Sequence, residues 1–521
     1  MRVTLPSPKL EGDIFMVRVE YDGYPQCEDH GCLFTHHNGE DLIYTLSEPW
    51  SSYKWWPVKA NNLGKGKADL VDKATADLSF TVPATMEVAS NGILQSTTLL
   101  PGDLKKFHWR TNYPTAPYLF CFAATNYIKL TDTYYFNGTP LDVEFYIYPE
   151  DEPHLHEWTD KLEYMFNVFN EKYGMYPYMD EKYGIAQVES PGGMEHQTMT
   201  FQKGVWGDTW HGYDRSEMVT AHELAHQWWG DVVTCMTWNE IWLNEGFASY
   251  SEAIWIENAD DYLSGLNYGE EAFHEYMEHV RCDLSFNPPG VFPTLPGEMI
   301  YRSDISTHED VFDFNMVYAK AAWVLHMLRH FVSDDKFFCF LKHYRDRFEF
   351  SSAETNDLMH TAEDIYGRTG PGYLEDLSWF FDEWIYRPGA PLYNCWWYYK
   401  NSNTIIVKIS QRQRLSGHPL DTVFTMPIDI VYIKQNVEHK VVLFDEPDDV
   451  LCPINTYEIT TNGLIGKLIF DPDNWILKRL SLFPPGQSQG SSSMPGSSVT
   501  GSTDASRAPL SNTVYVSNRY L

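Results

Sequence analysis

The sequence predicts a multidomain α+β protein, because the spacing of its apolar residues changes twice along the 521-residue chain. Short apolar or alternating runs, broken by Gly, Pro and Asn, predict a β domain over residues 1–151. Helical spacing replaces them over 152–390, and strand-like runs return over 391–483 as a small β-sandwich. The Ser/Gly/Pro-rich stretch over 484–521 cannot bury a core, so we expect a disordered tail.

The N-terminal strands are predicted from apolar or alternating runs. They are FMVRVEY, DLIYTL, ATADLSFTVP, LKKFHWRT and LDVEFYIYP. The first run has little lead-in after Met1, which favours a β domain truncated at its start. Residues 61–67, NNLGKGK, are a loop by composition.

The later elements are predicted in the same way. Besides the two helices treated below, helical segments are EWTDKLEYMFNVFNEKYG, NMVYAKAAWVLHMLRHFV and DLSWFFDEWIYRPG. Sandwich strands are TIIVKISQ, TVFTMPIDIVYI, KVVLF and GKLIFDP.

Composition restricts the class of protein. A net charge of −34 argues against nucleic acid as a partner. No stretch reaches the roughly 18–20 apolar residues of a membrane span, and residues 1–12 lack the apolar core of a signal peptide. We therefore expect a soluble chain, cytoplasmic or, if truncated, extracytoplasmic. Its eight cysteines form no C-x-x-C pair; Cys27 and Cys32 are close enough to pair, and we expect buried free thiols elsewhere.

The chemistry is concentrated in HELAHQWWGD, residues 222–231. His222 and His226 are four residues apart, so on a helix both imidazoles project from one face and can reach one Zn²⁺. Glu223 is then left to take a proton from the attacking water. Asp214 and Glu217 predict a capping box at the start of this helix, which we expect to end at Gly230.

A catalytic zinc site needs a third protein ligand and one open position. The segment TWNEIWLNEGFASY predicts a second helix, capped by Thr237 and antiparallel to the first. A return of about seven residues, roughly 10 Å, places Glu245 opposite the two histidines. We therefore predict one Zn²⁺ per chain on His222, His226 and Glu245.

These motifs resemble the aminopeptidase N and leukotriene hydrolase family of zinc metallopeptidases. Family members place the ligand Glu after eighteen intervening residues, as His226 and Glu245 do here. GGMEH at 192–196, SEPW, VASNG and FDPDNWILK extend the resemblance over most of the chain. It implies a thermolysin-like catalytic domain over 152–390 and removal of the first residue from peptides with a free N-terminus.

The resemblance also implies the substrate-binding residues. Glu195 matches the family glutamate that binds the free α-amino group, and Glu48 matches a residue that shares this duty. Two carboxylates beside the metal would hold one ammonium and exclude cleavage inside a peptide. Tyr318 matches the family tyrosine that donates a hydrogen bond to the oxyanion.

In the same GGMEH motif, the resemblance implies that Gly192, Gly193 and Met194 form a substrate-binding segment. Its glycines would allow close approach to the peptide main chain. His196 stands where the family usually has Asn; we expect it to make the same hydrogen bonds, or else to alter specificity or pH dependence.

Two further histidine pairs and two other functions are compatible with parts of the sequence. His274 and His279 are spaced by five and cannot share a metal on a helix, while His326 and His330 lack a following Glu and are predicted to be core or surface residues. Alternatives to an aminopeptidase are hydrolysis of a lipid epoxide and an inactive peptide-binding module on the same fold. The first-residue preference, physiological substrate and oligomeric state are not determined by these patterns.

Overall fold

The computed structural model describes residues 16–23, 30–58, 70–190, 192–263, 268–283, 299–366, 376–413, 423–445, 454–483 and 513–517, with a few isolated residues before 16. The predicted loop over 61–67 lies outside these ranges. So do most of the predicted tail and Cys27, the proposed partner of Cys32. Among the described cysteines, Cys121, Cys235 and Cys395 are buried free thiols, as expected.

The N-terminal part is a β structure, as predicted. Its sheets are four-stranded, in the order β1-β2-β7-β4, and three-stranded, in the order β3-β6-β5. The strands are β1 (Gly31–His37), β2 (Glu40–Leu46), β3 (Ala74–Pro83), β4 (Glu87–Ser90), β5 (Ile93–Leu100), β6 (Leu104–Thr115), β7 (Phe122–Thr125), β8 (Ile128–Phe136) and β9 (Thr139–Ile147).

The predicted opening strand FMVRVEY is wrong over its described residues. Residues 16–21 have no regular secondary structure, and Met16 and Tyr21 are exposed. Alternating apolar residues make a stable strand only where a neighbouring strand supplies hydrogen bonds and a face to pack on. Within the described part of the chain no strand pairs with residues 16–21, so their pattern does not become a strand.

The middle of the chain is mostly helical. Its helices are α1 (His156–Tyr173), α2 (Arg215–Ala225), α3 (Trp242–Asn258), α4 (Glu270–Asp283), α5 (His308–Val311), α6 (Ala321–Val332), α7 (Asp334–Phe348), α8 (Thr355–Tyr366) and α9 (Ser378–Trp384). A π-helix, Phe314–Lys320, leads directly into α6. Between them lie short strands: β10 (Tyr183–Gln187), β11 (Gly193–Met194), β12 (Thr200–Gln202), β13 (Thr209–Trp210), β14 (Tyr213–Asp214), β15 (Val233–Cys235) and β16 (Ser351–Ala353).

One mixed sheet supports this helical part. Its order is β11-β12-β10-β9-β8, with β10 parallel to both β9 and β12 and β11 antiparallel to β12 at the edge. The sheet joins strands from both sides of residue 151, so hydrogen-bonded backbone crosses the predicted boundary between the first two domains. The helix α1 and the sheet share a core of large side chains, in which Phe166 meets Tyr134 and Tyr183 edge-on.

The C-terminal part consists of two four-stranded sheets. Their orders are β21-β18-β17-β23 and β22-β19-β20-β24. The strands are β17 (Leu392–Asn401), β18 (Thr404–Gln411), β19 (Met426–Lys434), β20 (Val437–Asp445), β21 (Ile454–Thr460), β22 (Lys467–Phe470), β23 (Arg479–Phe483) and β24 (Thr513–Ser517). Tyr393 of one sheet packs on Phe470 of the other, with ring centroids 5.4 Å apart, as in a sandwich.

The strand β24 corrects the prediction of an unstructured tail for five residues. Its backbone pairs in parallel with the edge of β20, from Lys440 opposite Thr513 to Phe444 opposite Ser517. The segment TVYVS is rich in β-branched residues, and an open sheet edge offers unpaired backbone groups to such a sequence.

The second histidine pair, His326 and His330, which lacks a following Glu, lies on α6 at the junction with the C-terminal sheets. His326 is buried and its ring stacks on Trp475 at 4.5 Å, while its Nε2 is 3.3 Å from the carbonyl oxygen of Asn474. His330 also stacks on Trp475, with 4.8 Å between ring centroids, and lies 3.5 Å from Asp429. These rings therefore pack the helix α6 against the sandwich. No described helix is both long enough and apolar enough to cross a membrane.

Candidate active site

A cavity of about 940 Å³ lies between the N-terminal strands and the helical part. The cavity is lined by all ten residues that the sequence predicts for the site: Glu48, Gly192, Gly193, Met194, Glu195, His222, Glu223, His226, Glu245 and Tyr318. They come from a loop after β2, the edge strand β11, the helices α2 and α3 and the π-helix. The structure thus brings together residues that are up to 270 positions apart in the chain.

The helix α2 carries the two histidines and begins as predicted, at Asp214. The Asp214 carboxylate accepts hydrogen bonds from the backbone N–H groups of Ser216, at 2.9 Å, and Glu217, at 3.3 Å. The second hydrogen bond of the predicted capping box, from the backbone N–H of Asp214 to the side chain of Glu217, is wrong. The Glu217 side chain instead accepts from the Trp255 indole, at 2.6 Å, and the Tyr268 phenol, at 2.7 Å. It therefore anchors α2 to α3 and does not close on its own N-terminus.

The C-terminal end of α2 differs from its prediction. The helix ends at Ala225, five residues before Gly230, and His226 is its C-cap. Gly230 still matters, because its φ of +129° lies in the region that favours glycine, and a Cβ there would lie 3.1 Å from Nδ1 of His226. The early end leaves His226 at the C-cap, whose φ of −57° and ψ of −25° are still helical, so that it shares a face with His222.

The second helix, α3, also starts later than predicted. Thr237 begins a short 3₁₀ turn, Trp238–Glu240, and its side chain makes no capping hydrogen bond. The α-helix begins at Trp242 and places Glu245 in its first turn. Glu245 Oε2 lies 3.2 Å from Nε2 of His222 and 3.3 Å from Nε2 of His226.

These distances fit the donor set of a metal centre. Ligands held about 2.0–2.1 Å from a tetrahedral metal lie roughly 3.3–3.4 Å from one another. One atom from each of His222, His226 and Glu245 lies within 4.8 Å of the other two, and all three side chains are largely buried. The three residues can therefore hold one metal ion without rearranging.

The far side of each imidazole is already hydrogen-bonded. Nδ1 of His222 donates to Glu252 Oε1, at 2.7 Å, and Nδ1 of His226 donates to the carbonyl oxygen of Trp229, at 2.9 Å. The phenol of Tyr276 donates to the other oxygen of Glu252. These bonds fix the tautomer in which Nε2 carries the free lone pair, which is the form that binds a metal.

Replacing Glu252 by Gln is expected to weaken metal binding by about 10- to 100-fold, because the His222 imidazole loses its charged partner. The affinity would be measured by competition with a coloured chelator, and metal content by atomic absorption. Glu271→Gln, the same change at an exposed position of α4, serves as the control. Equal affinities in the two variants would show that Glu252 does not tune the site.

Glu223 faces the cavity from the same helix turn as His222. It is 5% exposed, and among the described residues its Oε2 has no hydrogen-bond partner. Burial raises the pKa of its carboxyl to about 8, against the opposing effect of His222 and His226. A Cβ on Gly193 would lie 2.2 Å from Glu223 Oε1, so glycine at this position leaves room for the carboxylate.

Glu48 and Glu195 form an acidic cradle beside the metal-ligand group. One oxygen of each lies within 4.8 Å of the other and of an oxygen of Glu245. Burial, and then the charge of Glu195, raise the pKa of Glu48 well above its ordinary value. Among the described residues Glu48 Oε1 has no hydrogen-bond partner. Buried carboxylates this close together favour a cation between them.

The segment Gly192–Met194 runs along the edge of the mixed sheet. Gly193 is paired with Gln202 and Met194 with Phe201, so one edge of this short strand is hydrogen-bonded to β12. The strand order leaves the other edge of β11 without a neighbouring strand in the described sheet. That edge can accept an extended peptide by β-addition.

Tyr318 lines the cavity beside His222. Its ring is parallel to that of His222, with 6.1 Å between centroids and 19° between planes. Burial, and then the charges of Glu245 and Glu48, raise the pKa of the phenol well above its ordinary value. The hydroxyl is therefore protonated at neutral pH and can donate a hydrogen bond.

His196 does not make the hydrogen bonds expected of it. The side chain is fully buried, packs edge-on against Phe201 at 4.5 Å, and has no hydrogen-bond partner at either ring nitrogen among the described residues. Burial lowers the pKa of this imidazole to about 3, so it is neutral at physiological pH. The expectation that it reproduces the hydrogen bonds of an asparagine is wrong, because the ring points into the apolar core.

Several contributing residues were missed by sequence reasoning. Glu252 carried a usable signal, since it follows Glu245 by seven residues and so shares its helix face. The sequence gives no signal for Tyr118, because this residue is far from the others along the chain. Its phenol lies 3.4 Å from Glu195 Oε1 and 3.3 Å from Asn244 Nδ2. Contacts of this kind depend on how the N-terminal sheet docks on α3.

Comparison with known proteins agrees with this site. Residues 155–384 match the model of the peptidase family M1 domain. The chain is 27% identical over 330 residues to the glutamyl aminopeptidase of Rattus norvegicus, covering 61% of this chain and 32% of that protein. It is 24% identical over 478 residues to the glutamyl aminopeptidase of Homo sapiens, covering 88% and 46%. It is 30% identical over 175 residues to aminopeptidase N of Lactococcus lactis subsp. lactis, covering 34% and 19%.

The resemblance stated from HELAHQWWGD and WLNEGFASY is thereby confirmed, since residues 155–384 match the domain of peptidase family M1. The alignments cover between about a third and about half of the glutamyl aminopeptidases quoted above.

Proposed function

We propose that this chain is a zinc-dependent aminopeptidase that removes the first residue from peptides with a free N-terminus. The observation that carries the proposal is the juxtaposition of a His₂Glu group with an acidic cradle in one cavity. The family match and relatives named as aminopeptidases support it. We also propose a thermolysin-like fold for residues 152–390, flanked by domains at 1–151 and 391–483.

His222, His226 and Glu245 would hold Zn²⁺, which as a Lewis acid polarises the scissile carbonyl and makes a water more acidic. Neutral imidazoles and a carboxylate are the ligands that catalytic zinc sites use. The hydrogen bonds from His222 to Glu252 and from His226 to Trp229 hold both rings in the binding orientation.

Glu223 acts as the general base. It takes a proton from the attacking water and later delivers it to the leaving amine, so one carboxyl group serves both halves of the reaction. Its burial and its unpartnered oxygen suit this role, because a solvated carboxylate with an ordinary pKa would bind the transferred proton too weakly. Tyr318 donates a hydrogen bond to the oxyanion, where charge develops only in the transition state.

Glu48 and Glu195 bind the substrate ammonium. The open edge of Gly192–Met194 holds the peptide main chain in an extended conformation. Together these contacts fix the first peptide bond over the reacting groups. An internal residue has no ammonium group to bind in the cradle, so cleavage inside a peptide is excluded. Several relatives are named glutamyl aminopeptidase, so the substrates assayed should include one with an acidic first residue.

The test uses fluorogenic aminoacyl amides and their N-acetylated forms with the full chain. We expect hydrolysis of the free amides, loss of activity with a zinc chelator and recovery on adding Zn²⁺. Acetylation should lower kcat/KM at least about 100-fold, since charge-assisted hydrogen bonds to the cradle are lost. Equal hydrolysis of both forms would contradict the aminopeptidase assignment. Hydrolysis that the chelator leaves unchanged would contradict the proposed requirement for a metal ion.

A further inference from the structure

The last residue of β1 connects the N-terminal sheet to the segment that leads into Gly192. Nδ1 of His37 lies 2.5 Å from Glu189 Oε1, and Nε2 of the same ring lies 2.7 Å from Glu150 Oε1. The imidazole also stacks on the ring of Tyr148, with 3.6 Å between centroids and 14° between planes. We call His37, Glu150 and Glu189 the carboxylate bridge, because one imidazole joins two carboxylates from different parts of the chain.

The geometry of the bridge favours the protonated ring of His37. A neutral imidazole carries one ring proton and can donate to only one carboxylate, whereas the imidazolium donates at both nitrogens. His37 is 20% exposed, so water screens its attraction to the two carboxylates only in part. Although burial opposes it, hydrogen bonds from its own backbone N–H and from His37 hold the pKa of Glu150 below its ordinary value, so this carboxylate is ionised at neutral pH. The adjacent Asp151 accepts from the side chain of Gln187, at 2.5 Å.

Two further polar groups contact the bridge without replacing its histidine. The side-chain amide of Asn38 donates to Glu150 Oε1, the oxygen that also faces His37. Lys203 Nζ lies 3.9 Å from Glu189 Oε2, the oxygen that His37 does not contact, and its side chain is 47% exposed. Among the described residues, His37 is therefore the one cation that contacts both carboxylates of the bridge.

The phenols around the bridge are neutral near pH 7. Tyr44, Tyr127 and Tyr148 are buried, and burial is the main cause that raises the pKa of each phenol above its ordinary value. The charge of Glu189 adds to this effect at all three. Histidine is the side chain whose charge ordinarily changes between about pH 5 and 8. Within the described surroundings of the bridge, His37 is therefore the group whose charge is expected to change in this range.

Glu189 belongs to the segment that the proposed function assigns to substrate binding. It lines the cavity, and it lies three positions before Gly192. The backbone N–H of Val188 donates to the carbonyl oxygen of Gln202 at 3.0 Å, and the N–H of Lys203 donates to the carbonyl oxygen of Gly192 at 3.1 Å. These two bonds hold the chain on both sides of Glu189 against β12, and the bridge adds a side-chain contact from β1. The position of β11 therefore depends on the N-terminal sheet as well as on its own sheet.

We propose that protonated His37 is a positioning residue that holds Glu189, and through it the segment Gly192–Met194, in the place where an extended peptide binds. The inference rests on the proposed aminopeptidase function, since that function assigns the open edge of β11 to the peptide main chain. His37 is not among the described residues that line the cavity, so its loss is expected to raise KM and to leave kcat within about twofold. The bridge is complete while His37 is protonated. Its contribution is therefore present at low pH and is lost as the pH rises through the ionisation of this ring.

The test measures kcat and KM for a tetrapeptide with a free N-terminus, between about pH 5.5 and 8.5, in the wild-type chain and in His37→Gln. The quantity compared is the KM of the variant divided by the KM of the wild-type chain at each pH. This ratio cancels the changes that both proteins share, including deprotonation of the substrate ammonium. We expect a ratio of about five at the acidic end that falls to about one at the alkaline end, because the neutral ring, like glutamine, supplies no charge to the bridge.

His37→Arg separates the charge of the bridge from the packing of the ring. A guanidinium stays charged over this pH range and can donate to two carboxylates. We expect its KM to lie within about twofold of the wild-type value at the acidic end, and about fivefold below it at the alkaline end, where the wild-type ring is neutral. A KM as high as that of His37→Gln at every pH would mean that packing on Tyr148 holds the segment and the charge does not. That result would overturn the inference.

His36→Gln is the matched control. His36 precedes His37 on β1, lies 2.9 Å from Asp41 and is 70% exposed, so the same change is made beside a carboxylate on the other face of the strand. Its KM ratio should stay near one at every pH. The double variant His37→Gln/Glu189→Gln should have a KM within about twofold of that of Glu189→Gln, because the two changes break the same contact.

A KM ratio for His37→Gln that stays near one at every pH would overturn the inference while leaving an active aminopeptidase. A lower kcat with an unchanged KM would contradict it as well, since His37 would then act on the reacting groups. Effects of His37→Gln and Glu189→Gln that multiply in full would show that His37 does not act through Glu189. Absence of hydrolysis of every free peptide and amide by the wild-type chain would instead overturn the proposed function itself.

Discussion

Glu223→Gln is expected to lower kcat by about 10²- to 10⁴-fold while leaving one bound Zn²⁺ per chain. Gln has nearly the same shape and fits beside Gly193, where the space for a side chain is tight. It cannot accept a proton from water or deliver one to the leaving amine. Since Glu223 is not one of the three proposed ligands, the metal should stay.

Rates would be measured on a Phe amide, with metal content determined on the same sample. Glu271→Gln, at an exposed position of α4, should behave as the wild-type chain. Activity within a few-fold of wild type in Glu223→Gln would end its assignment as the general base. Loss of metal together with activity would instead make Glu223 part of the binding site.

Tyr318→Phe should lower kcat by about 10²- to 10³-fold and leave KM within a few-fold of its original value. The phenol is expected to bond only the charge that develops in the transition state, so its loss should spare ground-state binding. The ring itself is kept, and with it the stacking on Phe314 and His222. The packing of the cavity wall is thus retained.

Steady-state kinetics on two amides would separate kcat from KM, and Tyr135→Phe, at an exposed position of β8, gives the same atomic change away from the cavity. A rise in KM with kcat unchanged would mean that Tyr318 binds substrate and does not stabilise the oxyanion. A variant as active as the control would exclude Tyr318 from the reaction.

The spacing of apolar residues along the sequence was sufficient to predict the main helices and strands. Helical spacing predicted α1, α2, α3 and α6, and alternating or apolar runs predicted β3, β6, β9, β18 and β19. The prediction failed at the ends of helices and at 16–21. There the outcome depends on a tertiary partner: Glu217 bonds to Trp255 and Tyr268 rather than to its own helix end.

By itself, the sequence determined the ligand spacing, the base beside it and the glycine-rich segment, because these are local properties of one helix and one strand. The tertiary structure decided what lies opposite them. Docking of the N-terminal sheet brings Glu48 and Tyr118 to Glu195, burial turns His196 into a neutral core residue, and the π-helix presents Phe314 to the cavity. The physical reason is that contacts between distant segments depend on how complete elements pack, and local periodicity carries no information about that packing.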